Sequence, residues 1–95
     1  MLNKENKLKC SKVIDTYPKE HQQLMLMEEL AELIQATSKL IRYGDIELFL
    51  EEYADVTVMM EEMRQMYHIE ADEINKRAAK KLFRALEGVC TTRKN

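Results

Sequence analysis

Four carboxylates in the middle of the sequence are spaced so that together they could bind a metal ion. They form two pairs, Glu29 with Glu32 and Glu52 with Asp55, and 19 residues lie between the pairs. Residues three positions apart share one face of a helix, so each pair would project from a single helix face. No basic residue stands within either pair. Four converging negative charges therefore need a cation to offset their repulsion.

The two pairs fall on or beside the apolar stripes of the helices that would carry them. At about 100° per residue, Glu29 lies at the edge of an apolar arc, and Glu32 lies just beyond it. Glu52 projects from near the centre of a methionine-rich stripe, with Asp55 at its flank. A carboxylate in an apolar stripe is costly unless a partner compensates its charge. Four other glutamates are predicted to point outward, namely Glu28, Glu51, Glu61 and Glu62.

The ligand type indicates which ion such a cluster would take. Ligation by oxygen alone favours hard divalent ions, so we expect Mg²⁺, with Mn²⁺ as a substitute, rather than zinc. A ferritin-like di-iron bundle would need Glu-x-x-His pairs. Neither His21 nor His68 stands three residues after a glutamate, which argues against di-iron. Both histidines are expected at the surface or at helix ends.

The elements that must position these residues are helices. With only two glycines and one proline, the composition favours long helices. Pro18 interrupts the first helix, because the residue before a proline is disfavoured in the helical conformation. Gly44 and Asp45 supply a helix stop followed by a cap, and Gly88 is expected to end the last helix. The predicted helices cover residues 3–15, 19–43, 46–67 and 70–87.

These helices predict an all-α fold, an antiparallel helical bundle with two long helices in a hairpin plus a third, basic helix. A hairpin that turns near residue 42 would set Glu29 opposite Asp55 and Glu32 opposite Glu52. We expect one domain over residues 1–95, with a short helix and turn at 1–18 and a loose tail at 88–95. A chain of 95 residues buries a modest core, so we expect oligomerisation to complete the bundle.

The distribution of charge narrows the classes of function. Residues 20–73 carry a net charge of −11, whereas residues 74–95 carry +6. Such segregation suits a site that holds a cation beside a phosphate, and it does not suit wrapping duplex nucleic acid. No stretch approaches the roughly 20 apolar residues of a membrane span. The start of the chain lacks the apolar core of a secretory signal, so we expect a cytoplasmic protein with Cys10 and Cys90 as inert free thiols.

The run EELAE at 28–32, followed by EYAD at 52–55, resembles the E-E-x-x-E … E-x-x-D motif of the MazG-like all-α nucleoside triphosphate pyrophosphohydrolases. The resemblance extends from about Gln22 to Arg84. It implies a helical bundle, dimeric or higher, that uses Mg²⁺ to convert a nucleoside triphosphate into the monophosphate and pyrophosphate. We therefore expect a homodimer or homotetramer that binds a nucleoside triphosphate, without a membrane or duplex nucleic acid as partner.

The resemblance also implies roles for individual residues. The metal ligands would be Glu29, Glu32, Glu52 and Asp55. Glu28 would orient the attacking water. Glu28 and the metal ligand Glu29 are therefore the two catalytic candidates. Gln22 lies in the run QQLMLMEE, which resembles the segment that leads into the family motif, and would contact the nucleotide. Basic side chains that could hold the phosphates are Lys39, Arg42, Lys81 and Arg84.

Two other hypotheses stay open beside the enzymatic one. A non-catalytic helical module would dimerise through its apolar stripes and bind a protein partner through its charged faces. A catalytically inactive relative would act as a sensor of nucleotide or metal. The three hypotheses differ in whether the chain releases pyrophosphate from a nucleotide in the presence of Mg²⁺.

Overall fold

The protein is all-helical over the part of the chain that the structure describes. The structure, a computed structural model, describes residues 2–94, with side chains described for residues 2–88. No strand occurs within these residues, so the predicted all-α class is confirmed. The helices are α1 (Lys4–Thr16), α2 (Lys19–Tyr43), α3 (Ile46–Met66) and α4 (Ala71–Lys94).

The turn between α2 and α3 uses the two residues that the sequence indicated. Gly44 adopts a left-handed conformation with φ of 71°, and its N–H donates to the carbonyl of Leu40. Asp45 then caps α3, because its carboxylate accepts from the N–H of Leu48 at 3.2 Å. A left-handed residue closes the end of one helix, and an aspartate satisfies a free amide at the start of the next. The predicted boundary between the two long helices is therefore confirmed.

Helices α2 and α3 pack against each other, and α1 packs on α3. Residues near the start of α2 contact residues near the end of α3, and later residues of α2 contact earlier residues of α3. Gln22 bonds to Glu62, whereas Glu29 approaches Glu52 and Asp55. Among the described residues, the buried apolar side chains are those of Cys10, Ala36 and Met59.

Two glutamates that were predicted to point outward are buried instead. Glu61 is 7% exposed and Glu62 is 2% exposed. Helix α3 taken by itself would present both residues to solvent, whereas in the fold α1 covers this end of α3 and brings Cys10 close to both carboxyls. Polar partners compensate the burial, since Gln22 donates to Glu62 and Arg64 forms an ion pair with Glu61. Glu28 and Glu51 are exposed, as predicted.

Helix α4 differs from its prediction in length and stands apart from the other helices. It continues through Gly88 to Lys94, so the predicted end at Gly88 and the loose tail over 88–94 are wrong. A glycine inside a helix costs only about 1 kcal/mol relative to alanine, which neighbouring helix formers can offset. Asn95 lies outside the described residues, and so does the side chain of Cys90. The prediction that the Cys90 thiol is inert therefore concerns a side chain that the structure does not describe.

Every side chain of α4 from Asp72 to Gly88 is exposed. The radius of gyration is 16.6 Å, whereas a compact chain of this length has about 12 Å. The protein is therefore extended, with α4 projecting from the other three helices. Among residues 2–94, no helix combines the length and the apolar character that crossing a bilayer requires.

Candidate metal centre

The four carboxylates singled out in the sequence meet between α2 and α3. Each of Glu29, Glu32, Glu52 and Asp55 offers an oxygen, and these oxygens all lie within 4.8 Å of one another. Glu29 and Glu52 are half-buried, while Glu32 and Asp55 are exposed. The cluster thus has an inner pair against the helix interface and an outer pair open to solvent. An ion or a ligand could reach it from the outer side.

The inner pair contains two oxygens without a hydrogen-bond partner among the described residues. These are Oε2 of Glu29 and Oε2 of Glu52, and both atoms are buried. A buried polar atom that lacks a partner loses its hydration without compensation. Carboxylate oxygens that surround one point fit a hard divalent cation, which would supply the missing interaction. The residues present therefore fit Mg²⁺ or Mn²⁺.

The crowding of these groups changes their acidity. Burial, followed by the charges of Glu32, Asp55 and Glu52, raises the pKa of Glu29 to about 7. The pKa of Glu52 is also raised, first by burial and then by a hydrogen bond and charge repulsion from Glu32. Full ionisation of the metal-free cluster is therefore disfavoured near neutral pH. A divalent cation would remove the repulsion that disfavours ionisation.

No basic side chain of the described residues neutralises the cluster. Ion pairs occur at Glu5, Glu61, Asp72 and Glu73, each with a lysine or arginine three or four residues away. None involves one of the four clustered carboxylates. An interhelical salt bridge was the ordinary alternative to metal binding at these positions, and the described residues form none there.

The structure separates Gln22 from the cluster. Gln22 is buried, and its side-chain amide donates to Glu62 rather than pointing into open space. It stands seven residues before Glu29 on α2, about 10 Å along the helix axis. This position does not favour the predicted nucleotide contact. Glu28 is exposed and directly precedes Glu29 in the sequence, and its role in orienting water stays a prediction.

The predicted phosphate-binding residues are exposed but do not meet the carboxylates within one chain. Lys39 lies on α2, seven residues after Glu32, and Lys81 and Arg84 lie on α4. Helix α4 does not pack along α2 or α3, so its basic side chains stay away from the cluster. The guanidinium of Arg42 donates to the hydroxyl of Ser38 at 2.9 Å, which holds it along α2.

A second polar group lies between α1 and the end of α3, and it was not predicted from the sequence. Arg64 donates to both carboxylate oxygens of Glu61, at 3.1 and 2.8 Å. Gln65 donates to Glu61 and also to the carbonyl of Lys7 in α1. The thiol of Cys10 lies close by, and its pKa is raised by burial and then by the charges of the two buried glutamates. The i, i+3 spacing of Glu61 and Arg64 was the available sequence signal.

Comparison of the chain with protein-family models, curated proteins and solved structures gave no significant match. The geometry of the carboxylate cluster and the motif to which its residues belong are therefore the basis for a functional proposal.

Proposed function

We propose that this protein is a Mg²⁺-dependent nucleoside triphosphate pyrophosphohydrolase of the MazG-like kind. The observation that carries the proposal is the carboxylate cluster, whose four oxygens lie within 4.8 Å of one another. Two buried oxygens of this cluster have no partner among the described residues. The cluster contains four of the five acidic residues of the E-E-x-x-E … E-x-x-D motif, all except Glu28. An antiparallel hairpin of α2 and α3, which the Gln22 and Glu29 contacts support, would hold its two halves at matched heights.

In this proposal Glu29, Glu32, Glu52 and Asp55 hold the metal. When bound, Mg²⁺ neutralises charge on the phosphate oxygens and lowers the pKa of a coordinated water. Glu28 is exposed and precedes Glu29 in the sequence, and we infer that it orients the attacking water by accepting a hydrogen bond from it. Glu29, the second catalytic candidate, has one buried oxygen without a partner among the described residues, and this oxygen would bind the metal.

The reaction is a displacement at the α-phosphorus of the nucleotide. A bond forms between the water oxygen and this phosphorus, and the bond from the phosphorus to the bridging oxygen of the β-phosphate breaks. Pyrophosphate leaves, and the water contributes one oxygen to the monophosphate. The motif residues include no serine, cysteine or histidine, so the proposed reaction has no covalent intermediate.

Basic side chains hold the triphosphate tail in this account. Lys81 and Arg84 are three residues apart on α4, so both can reach the same phosphate group. Lys39 is the further candidate on α2. Helix α4 stands apart from the carboxylate cluster of its own chain. Lys81 and Arg84 could therefore contact a bound triphosphate only if α4 approached the cluster of another copy. An assembly of two or four copies, as we expected from the sequence, provides such an approach.

One experiment separates this function from the two alternatives. The purified chain is incubated with a panel of ribo- and deoxynucleoside triphosphates and Mg²⁺, and released pyrophosphate is measured. We expect turnover that is lost in Glu52→Gln and retained in Glu51→Gln, a matched control whose carboxylate is exposed beside the cluster residue. Binding of metal and nucleotide without turnover would indicate a sensor. Absence of both binding and turnover would indicate a non-catalytic interaction module.

A further inference from the structure

The segment that joins α3 to α4 folds into a hydrogen-bonded turn. The N–H of His68 donates to the carbonyl of Gln65 at 3.2 Å. The N–H of Ile69 donates to the carbonyl of Arg64 at 2.9 Å. His68 has a φ of 53°, which a residue with a side chain rarely adopts unless surrounding contacts hold it. The turn is therefore a Schellman motif in which histidine takes the usual place of glycine, and other groups must stabilise it.

The side chain of Arg64 holds this turn. Its Nη1 donates to the carbonyl of Ile69 at 2.7 Å, so two hydrogen bonds of opposite direction join these two residues. Its Nε and Nη2 donate to the two carboxylate oxygens of Glu61, at 3.1 and 2.8 Å. One planar guanidinium thus uses three donors at once, and a lysine ammonium could not bridge both partners in the same way. We call the set Glu61, Arg64 and Ile69 the junction clamp.

The carboxylate end of the junction clamp is anchored in the packed part of the protein. The side chain of Glu61 is 6% exposed and that of Arg64 is 22% exposed. The amide of Gln65 donates to Glu61 at 2.8 Å and to the carbonyl of Lys7 in α1 at 2.9 Å. A bidentate, charge-assisted pair that is largely buried keeps a fixed geometry better than an exposed pair does. The clamp therefore connects α1 and α3 to the residues that lead into α4.

A second set of contacts holds the same region from the side of α2. The amide of Gln23 donates to the hydroxyl of Tyr67, and the ammonium of Lys19 lies 4.1 Å from the centre of the Tyr67 ring. Tyr67 is 46% exposed, and exposed polar contacts of this kind are weak. Tyr67 also precedes the turn, so these contacts hold the end of α3. Only the clamp, through Ile69, reaches beyond the turn.

Packing along α4 does not set its direction within the described chain. Every side chain from Asp72 to Gly88 is exposed, so the segment where α4 begins determines where it points. A 24-residue helix is about 36 Å long, and a rotation of about 20° at its start moves its far end by roughly 12 Å. The same rotation moves Lys81 by roughly 5 Å and Arg84 by roughly 7 Å. A small change at the junction is thus amplified along α4.

We propose that Arg64 is a positioning residue, which sets the direction of α4 through its simultaneous bonds to Glu61 and to the carbonyl of Ile69. This part of the inference does not depend on the proposed reaction. Its catalytic consequence rests on the proposed function, because fixing α4 also fixes where Lys81 and Arg84 stand relative to a bound triphosphate.

Distances between two spin labels test the direction of α4. The labels are attached at Glu51→Cys on α3 and Lys80→Cys on α4, which are exposed positions. The chain also carries Cys90→Ser, and Cys10 is buried and therefore protected from labelling. Labelled chains are diluted with an excess of unlabelled wild type, so that distances within one chain dominate. Double electron–electron resonance then gives the distribution of distances between α3 and α4.

The wild type should give one narrow distribution, and Arg64→Lys should widen it by about two-fold or more. Lysine keeps a charge beside Glu61 but cannot also reach the carbonyl of Ile69. Arg77→Lys, which changes an exposed ion pair on α4, is the matched control and should leave the width unchanged. His68→Gly should also leave it unchanged, because glycine accepts the positive φ and the clamp remains.

Circular dichroism shows whether each variant keeps its helical content. If Arg64→Lys does not fold, Glu61→Gln takes its place, since it weakens the hold on the guanidinium, leaves an acceptor and should also widen the distribution. A wide distribution in the wild type, or an unchanged width in the folded clamp variant, would overturn the proposal. Equal widening by His68→Gly would overturn it as well, because the backbone of the turn would then set the direction.

Kinetics test the catalytic consequence separately. Arg64→Lys should lower kcat/KM by about five-fold or more in the wild type, but by less than about two-fold in a chain that carries Lys81→Ala and Arg84→Ala. Equal losses in both backgrounds would mean that Arg64 does not act through these two side chains. A wild type without turnover would contradict the proposed function, and the spin-label distances would still decide whether Arg64 sets the direction of α4.

Discussion

The side chains of Gln22 and Glu62 join α2 to α3 through a buried hydrogen bond, in which the Gln22 amide donates to the Glu62 carboxyl. Glu62 is the most deeply buried large side chain of the described residues, at 2% exposure. Burial raises the pKa of this carboxyl, and the bond from Gln22 opposes the rise only partly. The interface of α1, α2 and α3 therefore contains a carboxyl group whose charged form is disfavoured by burial.

The stability of the protein should consequently depend on pH through Glu62. The folded-state pKa is raised above the ordinary value of 4.5, so the stabilising contribution is complete below that value. It is lost as the pH rises through the folded-state pKa, because a proton must then leave a buried group. Urea unfolding at several pH values from about 4 to 8 should show Glu62→Gln gaining stability relative to the wild type as the pH rises. A difference that stays constant over this range would contradict the assignment.

Divalent metal should raise the melting temperature of the protein. A ligand that binds only the folded state at 100 times its Kd adds about 2.7 kcal/mol, which is on the order of 10–20 °C for a domain of this size. Glu52→Gln should remove this increment with Mg²⁺ and Mn²⁺. The metal-free variant should be at least as stable as the wild type, since it has lost a repelling charge. Glu51→Gln serves as the control, and an unchanged metal response in Glu52→Gln would exclude Glu52 as a ligand.

Removal of the Glu61 charge should destabilise the fold. Glu61 is buried and accepts from Arg64 and Gln65, so Glu61→Gln weakens a charge-assisted pair and the clamp on the α3–α4 junction. We expect a loss of about 1–3 kcal/mol in the free energy of unfolding, measured by urea denaturation. Glu51→Gln, an exposed position on the same helix, should change it by less than about 0.5 kcal/mol. Equal effects of the two substitutions would show that the Glu61 pair does not support the fold.

The helices and the carboxylate cluster were predictable because their signals are local. The Gly44–Asp45 turn, the Pro18 break and the helical period depend on residues close in sequence. These signals predicted the first and last residues of α2 and α3 to within one residue of the observed ends. The period also placed the pairs Glu29–Glu32 and Glu52–Asp55 on facing sides, where the structure brings them together.

The features that the sequence did not predict depend on contacts between distant segments. Glu61 and Glu62 are buried because α1 packs over the end of α3, which no single-helix argument includes. The hydrogen bond from Gln22 to Glu62 likewise joins residues that are 40 positions apart in the sequence. Gly88 failed as a helix stop because a single glycine costs little within a run of good helix formers.

Loss of the Lys81 ammonium should weaken the interaction with the triphosphate. In the proposed function Lys81 lies beside the phosphates, so Lys81→Ala should lower kcat/KM by about ten-fold or more, as expected for one lost charge-assisted contact. Lys80→Ala removes a charge from the neighbouring position on α4 and should change kcat/KM by less than about two-fold. Steady-state kinetics with varied nucleotide and constant Mg²⁺ measure both. Equal losses in the two variants would indicate a general effect of charge on α4 instead of a specific contact.

The position of an oxygen label tests the proposed reaction most directly. Hydrolysis of the preferred nucleoside triphosphate is run in ¹⁸O-water with Mg²⁺, and the products are analysed by mass spectrometry. Attack at the α-phosphorus places one ¹⁸O atom in the nucleoside monophosphate and leaves the pyrophosphate unlabelled, which is the result we predict. Label in pyrophosphate or orthophosphate would contradict attack at the α-phosphorus, and so would release of a nucleoside diphosphate.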